Sequence, residues 1–426
     1  MATNGSDVLW AVGIEDTFIP HVRPGLRRLD EYELTQHYRF WREDLALAVE
    51  AGARGLRWGV PWYRVEPAPG RWDWRWVDDV LDHAVNRLGL TVVLDLVHYG
   101  TPLWLDNSFL NGRYPERVAS YAVAVARRYG SLVRHYTPAN EPVVGADRSG
   151  RRAEWPPYLS GDDGFVKMAL AMARGMVLTA QALRAEQPDA VLVQVEATHL
   201  YTARPGVERL VSLADEQQFV CFDLATGRLT DAHPLHGFLV EHGVSKAELA
   251  WFTANAVSFD VFGLNYYPWS NVVVGQHGDG RRYRRPGTTS GRAIGRVARR
   301  IHERYGLPIM VTETSSPGPV ARREQWMDET VAALGEARGD GVPIVGYTWF
   351  PLFPMIDWAY RSGRRPLAAY TLHLGLYDGG FDADGVLRRE PTPLVARFRR
   401  YTAGPPGTVA GSTGVATPEE VPAAGG

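Results

Sequence analysis

Residues 135–142 read HYTPANEP, and this stretch decides the fold prediction. The run that precedes Glu141 reads as a short strand, and the glutamate stands where the strand ends. Residues 307–314, LPIMVTET, repeat the pattern and place Glu313 at the end of another strand. A carboxylate at the C-terminal end of a barrel strand is positioned for catalysis rather than for packing. Both glutamates are therefore candidate catalytic residues.

Apolar runs and amphipathic stretches alternate along most of the chain. Strands are predicted at residues 8–14, 55–60, 91–97, 133–138, 190–196, 259–265, 308–313 and 343–349. Helices are predicted between them at residues 36–51, 75–88, 115–129, 164–186, 245–256, 291–305 and 322–337. This alternation predicts a single (β/α)8 TIM-barrel domain at residues 1–402. A doubly wound open sheet is the alternative, but the Gly-rich phosphate loop expected after its first strand is absent from the sequence.

Three segments depart from the alternation. Residues 143–163 are polar and follow Glu141, and residues 275–290 are rich in Gly and Arg and follow the sixth strand. Both are predicted to be loops on the catalytic face, where they would shape access for the substrate. Residues 403–426 contain mostly Gly, Pro, Ala, Thr and Val and no aromatic residue. Such a segment buries too little apolar surface to offset the entropy of ordering, so a disordered tail is predicted.

Composition excludes several classes of protein. The 426 residues carry a net charge of −2, which gives no reason to expect nucleic acid or an anionic membrane as a partner. Cys221 is the only cysteine, so an intrachain disulfide and a cysteine-based metal cluster are excluded. Residues 1–7 do not resemble a signal peptide, and no apolar run reaches about 20 residues, so a cytoplasmic location is expected. The sequence leaves the oligomeric state open.

The pair of glutamates suits the cleavage of a glycosidic bond. Retaining glycosidases use one carboxylate as nucleophile and a second as acid and then base, with the two carboxyls about 5–5.5 Å apart. The ends of the fourth and seventh strands can converge across the mouth of one barrel. The chain has no Ser-nucleophile motif and no Gly-rich phosphate loop, and its pair His233 and His236 lacks the neighbouring ligands of a zinc site. Neither a cofactor nor a metal is predicted.

Nine short segments carry a family resemblance through their order and spacing. They are residues 37–44 (HYRFWRED), 56–67 (LRWGVPWYRVEP), 97–105 (VHYGTPLWL), 140–142 (NEP), 262–267 (FGLNYY), 312–313 (TE), 346–349 (GYTW), 357–359 (DWA) and 374–377 (LGLY). Each segment alone is a weak indication. Together they resemble the family 1 glycoside hydrolases, which lie within the larger clan of (β/α)8 retaining glycosidases.

The resemblance implies roles for residues near the scissile bond. It makes Glu313 the nucleophile and Glu141 the acid/base. Arg57 matches an arginine beside the nucleophile, where a positive charge favours the ionised carboxylate, and Tyr267 matches a tyrosine that hydrogen-bonds the nucleophile. Asn265 lies in the same segment as Tyr267 and is included among the supporting residues. The structural alternatives are an ion pair for Arg57 and core packing for Tyr267.

Further residues are implied to contact the sugar. Asn140 resembles the asparagine that hydrogen-bonds the sugar 2-OH, and His98 matches a histidine that contacts the hydroxyls. Trp349 would form an aromatic floor beneath the sugar. Asp357 and Trp358 resemble a Glu-Trp pair that binds distal hydroxyls, or else they pack within their loop.

Three departures from the family pattern affect the surroundings of the sugar. Glu15 stands where the family usually has a sugar-binding Gln, and Thr314-Ser315 follows the nucleophile in place of Asn-Gly. Residues 350–354, FPLFP, replace a Ser-Leu-Leu-Asp type of sequence, and the distal reader is Asp rather than Glu. These changes leave the catalytic pair intact, but they remove any reason to expect a preference for glucose.

The sequence therefore predicts a retaining β-glycosidase that hydrolyses small β-glycosides through a covalent glycosyl-enzyme. Its expected partner is a small-molecule glycoside, without cofactor or metal. A transglycosylase that uses the same residues is one alternative. A non-catalytic sugar-binding protein on a decayed barrel is another, and a metal-dependent barrel lyase is a more distant one.

Overall fold

Eight parallel strands form a closed barrel in the computed structural model, which describes residues 8–287 and 290–404. The strands are β1 Leu9–Gly13, β2 Gly55–Gly59, β3 Thr91–Asp95, β4 His135–Thr137, β5 Val191–Ala197, β6 Val261–Asn265, β7 Ile309–Thr314 and β8 Ile344–Trp349. Strand β1 pairs with both β8 and β2, which closes the ring. The predicted TIM barrel is confirmed, and every predicted strand boundary lies within two residues of the observed one. The tail predicted at residues 403–426 lies outside the described residues from position 405 onward.

Helices surround the barrel. They are α1 His37–Glu50, α2 Arg75–Asp82, α3 Tyr114–Tyr129, α4 Gly161–Glu186, α5 Lys246–Ala254, α6 Ile294–Tyr305, α7 Val320–Gly339 and α8 Pro393–Thr402. The first seven match predicted helices. The sequence analysis missed α8, whose start is set by a proline in the first turn and by Thr392, which accepts a hydrogen bond from the backbone of Leu394. It also missed three helices between β5 and β6, Glu208–Gln217, Val220–Ala225 and His236–Glu241.

The barrel contains a small apolar layer that is separate from the main core. Ala11, Val93, Val193 and Met310 come from the alternate strands β1, β3, β5 and β7, and they pack together with Val195. The larger core fills the space between the strands and the helices. Alternate strands contribute such layers in TIM barrels, so the interior of this barrel is packed with side chains.

Both predicted loops contain regular structure, so their predicted conformation was wrong, whereas their predicted position at the catalytic face is confirmed because residues such as Arg148 and Arg284 line the cavity there. Residues Asn271–Gln276 and Arg282–Pro286 pair as an antiparallel hairpin, and Leu200–Ala203 adds a parallel third strand. The run Val272-Val273-Val274 explains the first strand, because β-branched residues favour extended backbone. The other segment begins with the helix Pro142–Ala146 and a π-helical turn at Asp147–Arg151.

Short elements complete the rims of the barrel. Three two-stranded pairs join Phe18–Ile19 to Leu29–Asp30, Met355–Ile356 to Thr371–Leu372, and Tyr377–Asp378 to Glu390–Pro391. Single turns of helix lie at Glu31–Leu34, Trp62–Val65, His83–Arg87, Ser108–Leu110, Pro268–Ser270, Gly291–Ala293, Trp358–Arg361 and Leu367–Tyr370. In the part of the chain that the structure describes, no helix has both the length and the hydropathy to cross a membrane.

Candidate active site

The C-terminal ends of the barrel strands open into a cavity of about 940 Å³. Residues from strands β1, β3, β4, β6 and β7 meet there, together with the segment after β8. The wall includes eight of the residues predicted from the sequence: Glu15, His98, Glu141, Asn265, Tyr267, Glu313, Asp357 and Trp358. Three others, Arg57, Asn140 and Trp349, do not line the cavity. Two of these three lie directly behind its wall and contact the glutamates or their partners.

Glu313 is held by a cation and a phenol. The Arg57 guanidinium donates to Glu313 Oε1 through Nη1, and Tyr267 Oη donates to Glu313 Oε2 at 2.7 Å. Arg57 is completely buried and also binds Asp95, with Nη2 2.5 Å from Oδ2. A charge-assisted contact of this kind is strong in a site with little water. The carboxylate of Glu313 is therefore fixed in orientation, with both oxygens occupied.

Glu141 stands in a different electrostatic environment. Its Oε1 accepts a hydrogen bond of 2.8 Å from Asn265 Nδ2, and its Oε2 accepts one from Tyr99 Oη. No cationic side chain forms an ion pair with it among the described residues. Burial, and then the negative charge of Glu313, raise the pKa of Glu141 to about 7. Glu141 can therefore hold a proton near neutral pH.

The backbone at Glu141 is strained. Glu141 has φ 39° and ψ 58°, and its hydrogen-bond partner Tyr99 has φ 71°. A residue with a side chain rarely adopts this left-handed region, and each occurrence costs roughly 1–3 kcal/mol. The turn at Glu141 lets the chain leave β4 and enter the helix Pro142–Ala146 while the carboxyl faces the cavity. Strain of this kind clusters at functional sites, which agrees with the position of the pair.

Asn140 connects the two glutamates. Its Oδ1 accepts hydrogen bonds from Arg57 Nη2 at 2.7 Å and from Asn265 Nδ2 at 3.3 Å. Arg57 is the partner of Glu313, and Asn265 is the partner of Glu141. One guanidinium and two amides thus link the two carboxyls through a continuous hydrogen-bond network. The network fixes the position of each carboxyl relative to the other.

Glu15 and His98 occupy the side of the cavity near β1 and β3. Glu15 Oε1 accepts hydrogen bonds from the backbone N of Thr17 at 3.0 Å and from its Oγ1 at 2.6 Å. His98 Nε2 lies 3.9 Å from that oxygen and 2.9 Å from Asn140 Nδ2. On the other side of the ring, His98 Nδ1 lies 2.8 Å from Asp16 Oδ1. The histidine ring is thus held between a carboxylate and the Asn140 amide.

Trp349, at the end of β8, and Asp357 and Trp358, which follow it, depart from the arrangement predicted from the sequence. Trp349 is completely buried, and its Nε1 donates to the carbonyl of Leu374 at 3.1 Å, so the structure does not bring it to the cavity wall. Asp357 does reach the cavity, but its Oδ1 accepts a hydrogen bond of 2.8 Å from the backbone of Ala359. Trp358 packs against Tyr99, with ring centroids 5.5 Å apart. The sugar-contacting roles of these residues stay predictions.

Four residues of the site were not singled out from the sequence. Asp95 pairs with Arg57, Asp16 with His98, and Tyr99 with Glu141, while Thr312 Oγ1 donates to Asn265 Oδ1 at 2.6 Å. Tyr99 and Thr312 are chain neighbours of predicted residues, and that adjacency was the available signal. Asp16 and Asp95 are polar residues at the ends of β1 and β3, and position alone could have indicated them.

Two groups of acidic and histidine side chains have the spacing of a metal site among the described residues. They are Asp16, Asp95 and His98 in the active site, and Glu216, Asp223 and His233 on the outer helices. A guanidinium already accompanies each group. Arg57 binds Asp95, and Arg304 Nη2 lies 2.7 Å from Asp223 Oδ2. Because an arginine at this distance repels a cation, ion pairing explains both groups better than metal binding does.

Comparisons with known proteins identify the relatives of this barrel. A model of glycoside hydrolase family 42, described as a beta-galactosidase family, matches residues 32–143. Beta-glucosidase 1B from Phanerodontia chrysosporium is 23% identical over 390 residues, which cover 76% of this chain and 70% of that protein. Thermostable beta-glucosidase B from Thermobispora bispora is 25% identical over 370 residues, or 77% and 75% of the two chains. The solved family 1 β-glucosidase from Thermotoga maritima gives a TM-score of 0.80 at 17% identity and covers 92% of this chain and 97% of that one.

Over most of its length the chain is similar to curated beta-glucosidases, and its fold is that of a solved family 1 β-glucosidase. The resemblance carried by the nine segments is thereby confirmed, and so is the predicted enzyme class, a glycoside hydrolase. The match to family 42 falls within the same clan of barrels. At 17% identity the solved structure supports the fold alone, so the roles of individual residues in this glycoside hydrolase rest on the geometry described above.

Removing the Tyr267 hydroxyl, which donates a hydrogen bond to Glu313, should lower the turnover rate. We expect Tyr267→Phe to lower kcat by about 10–10³-fold, because a buried hydrogen bond to Glu313, the predicted nucleophile, is lost. Tyr266→Phe is the matched control, since its hydroxyl donates to Asn271 Oδ1 at 2.8 Å and its side chain does not line the cavity. Kinetics of both variants on an aryl β-glycoside provide the measurement. Equal losses in the two variants would mean that Tyr267 acts only through folding.

Proposed function

We propose that the protein is a retaining β-glycosidase that hydrolyses small β-glycosides, with Glu313 as nucleophile and Glu141 as acid and then base. One observation carries the proposal above all others. The two carboxyls face one cavity in opposite environments, since Glu313 contacts the Arg57 guanidinium while Glu141 has its pKa raised to about 7. Two titratable groups whose environments differ in this way are suited to divide the roles of nucleophile and acid.

In the first step Glu313 attacks the anomeric carbon of the bound glycoside. The bond to the glycosidic oxygen breaks, and its electron pair takes the proton from Glu141, so the aglycone leaves as an alcohol. The sugar is then joined to Glu313 as an ester. Arg57 and Tyr267 hold the carboxylate in the attacking orientation, which reduces the entropy cost of reaching the transition state.

In the second step the ester is hydrolysed. Glu141 has given its proton to the aglycone, and once Glu313 is esterified its negative charge no longer raises the pKa of Glu141, so Glu141 stays ionised and can accept a proton from water. The resulting hydroxide attacks the anomeric carbon, and Glu313 leaves as a carboxylate. Two inversions at one carbon give a product with the configuration of the substrate.

The size and lining of the cavity favour a small substrate. A volume of about 940 Å³ accommodates a sugar with a modest aglycone. Trp269 stacks on Tyr267 with ring centroids 4.4 Å apart, and its side chain is 47% exposed at the cavity wall. An exposed aromatic face beside the nucleophile's tyrosine offers a stacking surface for a sugar ring or an aryl aglycone.

The decisive experiment is the stereochemistry of hydrolysis. The purified protein is incubated with 4-nitrophenyl β-glycosides of the gluco, galacto, fuco, xylo and glucurono series, and the best substrate is followed by proton NMR. We expect the β-anomer of the free sugar to appear first, followed by slow mutarotation. An α-anomer as the first product would rule out double displacement. Binding without turnover across the whole panel would favour a sugar-binding protein instead.

A further inference from the structure

Glu15 offers the cavity an oxygen that the protein leaves unused. The side chain lines the cavity and is only 5% exposed. Its Oε1 is occupied by two hydrogen bonds from Thr17, whereas Oε2 has no hydrogen-bond partner within residues 8–287 and 290–404. Because Glu15 lines the cavity, this oxygen is available to accept a hydrogen bond from a donor on the ligand.

The negative charge of Glu15 has a single basic partner, His98, which is shared with other acidic side chains. The Arg57 guanidinium forms ion pairs with Asp95 and Glu313 and donates a hydrogen bond to Asn140. It forms no ion pair with Glu15 in the described part of the chain. His98 is the only basic side chain within 4 Å of the Glu15 carboxyl in the described part of the chain, and its other ring nitrogen faces Asp16. Burial, opposed by His98 and reinforced by Glu313, raises the pKa of Glu15 to about 7. The end of the cavity where the sugar would bind therefore has an excess of acidic groups.

The residue type matters for the chemistry of recognition. A glutamine at this place would present a neutral amide, which offers one donor group and one acceptor to sugar hydroxyls. A carboxylate offers acceptors only, and in a poorly hydrated site it remains costly unless a cation approaches it. An ammonium group on the sugar supplies both a hydrogen-bond donor for Oε2 and a positive charge where acidic groups outnumber basic ones.

We infer that the site prefers an amino sugar, a β-glycoside in which a protonated amine replaces the hydroxyl that faces Glu15 Oε2. This inference rests on the proposed glycosidase function and names the class of its substrate. The acidic groups that face Glu15 are Asp16, Glu31 and Glu313, and none of them has a hydrogen-bond geometry to Oε2 in the described structure. Glu15 is thus a specificity-determining residue, and its partner is the ligand.

The test compares matched aryl glycosides. The starting compound is the neutral 4-nitrophenyl β-glycoside that the function screen identifies as the best substrate. Its amino analogues carry an amine in place of one hydroxyl, at C2, C3, C4 or C6. We expect one amino isomer to exceed the neutral parent in kcat/KM by about tenfold or more. Glu15→Gln should reverse this preference by about 10–100-fold, because the amide keeps the acceptor for Thr17 but loses the charge.

A control and a pH series separate charge recognition from other effects. Glu154→Gln removes a different carboxyl from the cavity wall, one that pairs with Arg148 and is distant in sequence from Glu15, and it should leave the ratio unchanged. The ratio of kcat/KM for the amino and neutral substrates should rise from pH 6 as Glu15, whose pKa is about 7, ionises, and it should fall again where the ammonium of the substrate loses its proton, while the titration of Glu141 affects both substrates alike. A flat ratio in the wild type would overturn the inference.

The outcomes distinguish this inference from the proposed function. Efficient turnover of the neutral parent with no gain for any amino isomer would leave the glycosidase standing and overturn the role of Glu15. If no glycoside is turned over, calorimetric titration with the methyl β-glycosides of the same amino and neutral sugars still tests Glu15. Tighter binding of one amino isomer that is lost in Glu15→Gln supports the inference, and equal binding of amino and neutral sugars contradicts it.

Discussion

Replacing Glu313 with alanine should lower kcat on aryl β-glycosides by a factor on the order of 10⁴–10⁶, the loss expected when a nucleophile is removed. The structure gives the physical reason. The contacts of Arg57 and Tyr267 converge on this carboxylate, and among the described residues no other carboxyl receives both of them. Neither partner is a nucleophile, so the first bond to the sugar cannot form. Steady-state kinetics with enzyme in high concentration measure the residual rate.

External azide should restore part of the activity of Glu313→Ala. The truncated side chain leaves a space beside Arg57, whose guanidinium attracts a small anion. Azide then attacks the anomeric carbon from the side of the missing carboxylate and yields an α-glycosyl azide with inverted configuration. Glu313→Gln is the matched control, because the amide fills the space and should not be rescued. Wild-type turnover in Glu313→Ala would show that the nucleophile is a different residue.

The fold followed from the sequence because its determinants are local. Each barrel strand is a short apolar run between helices with one apolar face, and those patterns fixed all eight strands and seven helices. The hairpin at Asn271–Gln276 was missed because the Gly- and Arg-rich residues that follow Val274 look like a loop when read alone. Its strands gain stability from the parallel partner Leu200–Ala203, a contact that sequence periodicity does not reveal.

The candidate site was predictable in part for the same reason. Glu141 and Glu313 were found from their positions at strand ends, and Arg57 and Tyr267 from the family resemblance. The hydrogen bond from Tyr99 to Glu141 depends on a left-handed backbone at both residues, which no propensity predicts for Tyr or Glu. The burial of Trp349 depends on the carbonyl of Leu374, which lies 25 residues further along the chain. Contacts of this kind are set by tertiary packing.

Replacing Glu141 with alanine should affect substrates according to their leaving groups. For an alkyl β-glycoside, whose alcohol must be protonated as it leaves, we expect kcat/KM to fall by about 10²–10⁴-fold. For a 2,4-dinitrophenyl glycoside the first step needs no proton, so kcat/KM should change far less. The second step still lacks its base, so the glycosyl-Glu313 ester should accumulate and appear as a burst of the phenol. Mass spectrometry of the quenched enzyme would detect the ester.

The same variant should lose the alkaline limb of the pH profile. Burial and the charge of Glu313 raise the pKa of Glu141 to about 7, so the acid is protonated below that pH and is lost as the pH rises through it. Wild-type kcat/KM on an alkyl glycoside should therefore fall about tenfold per pH unit well above pH 7. Glu15 has a pKa in the same range, so Glu15→Gln is the necessary control. A limb that persists in Glu15→Gln and vanishes in Glu141→Ala assigns the proton to Glu141, whereas the reverse result would contradict its role as the acid.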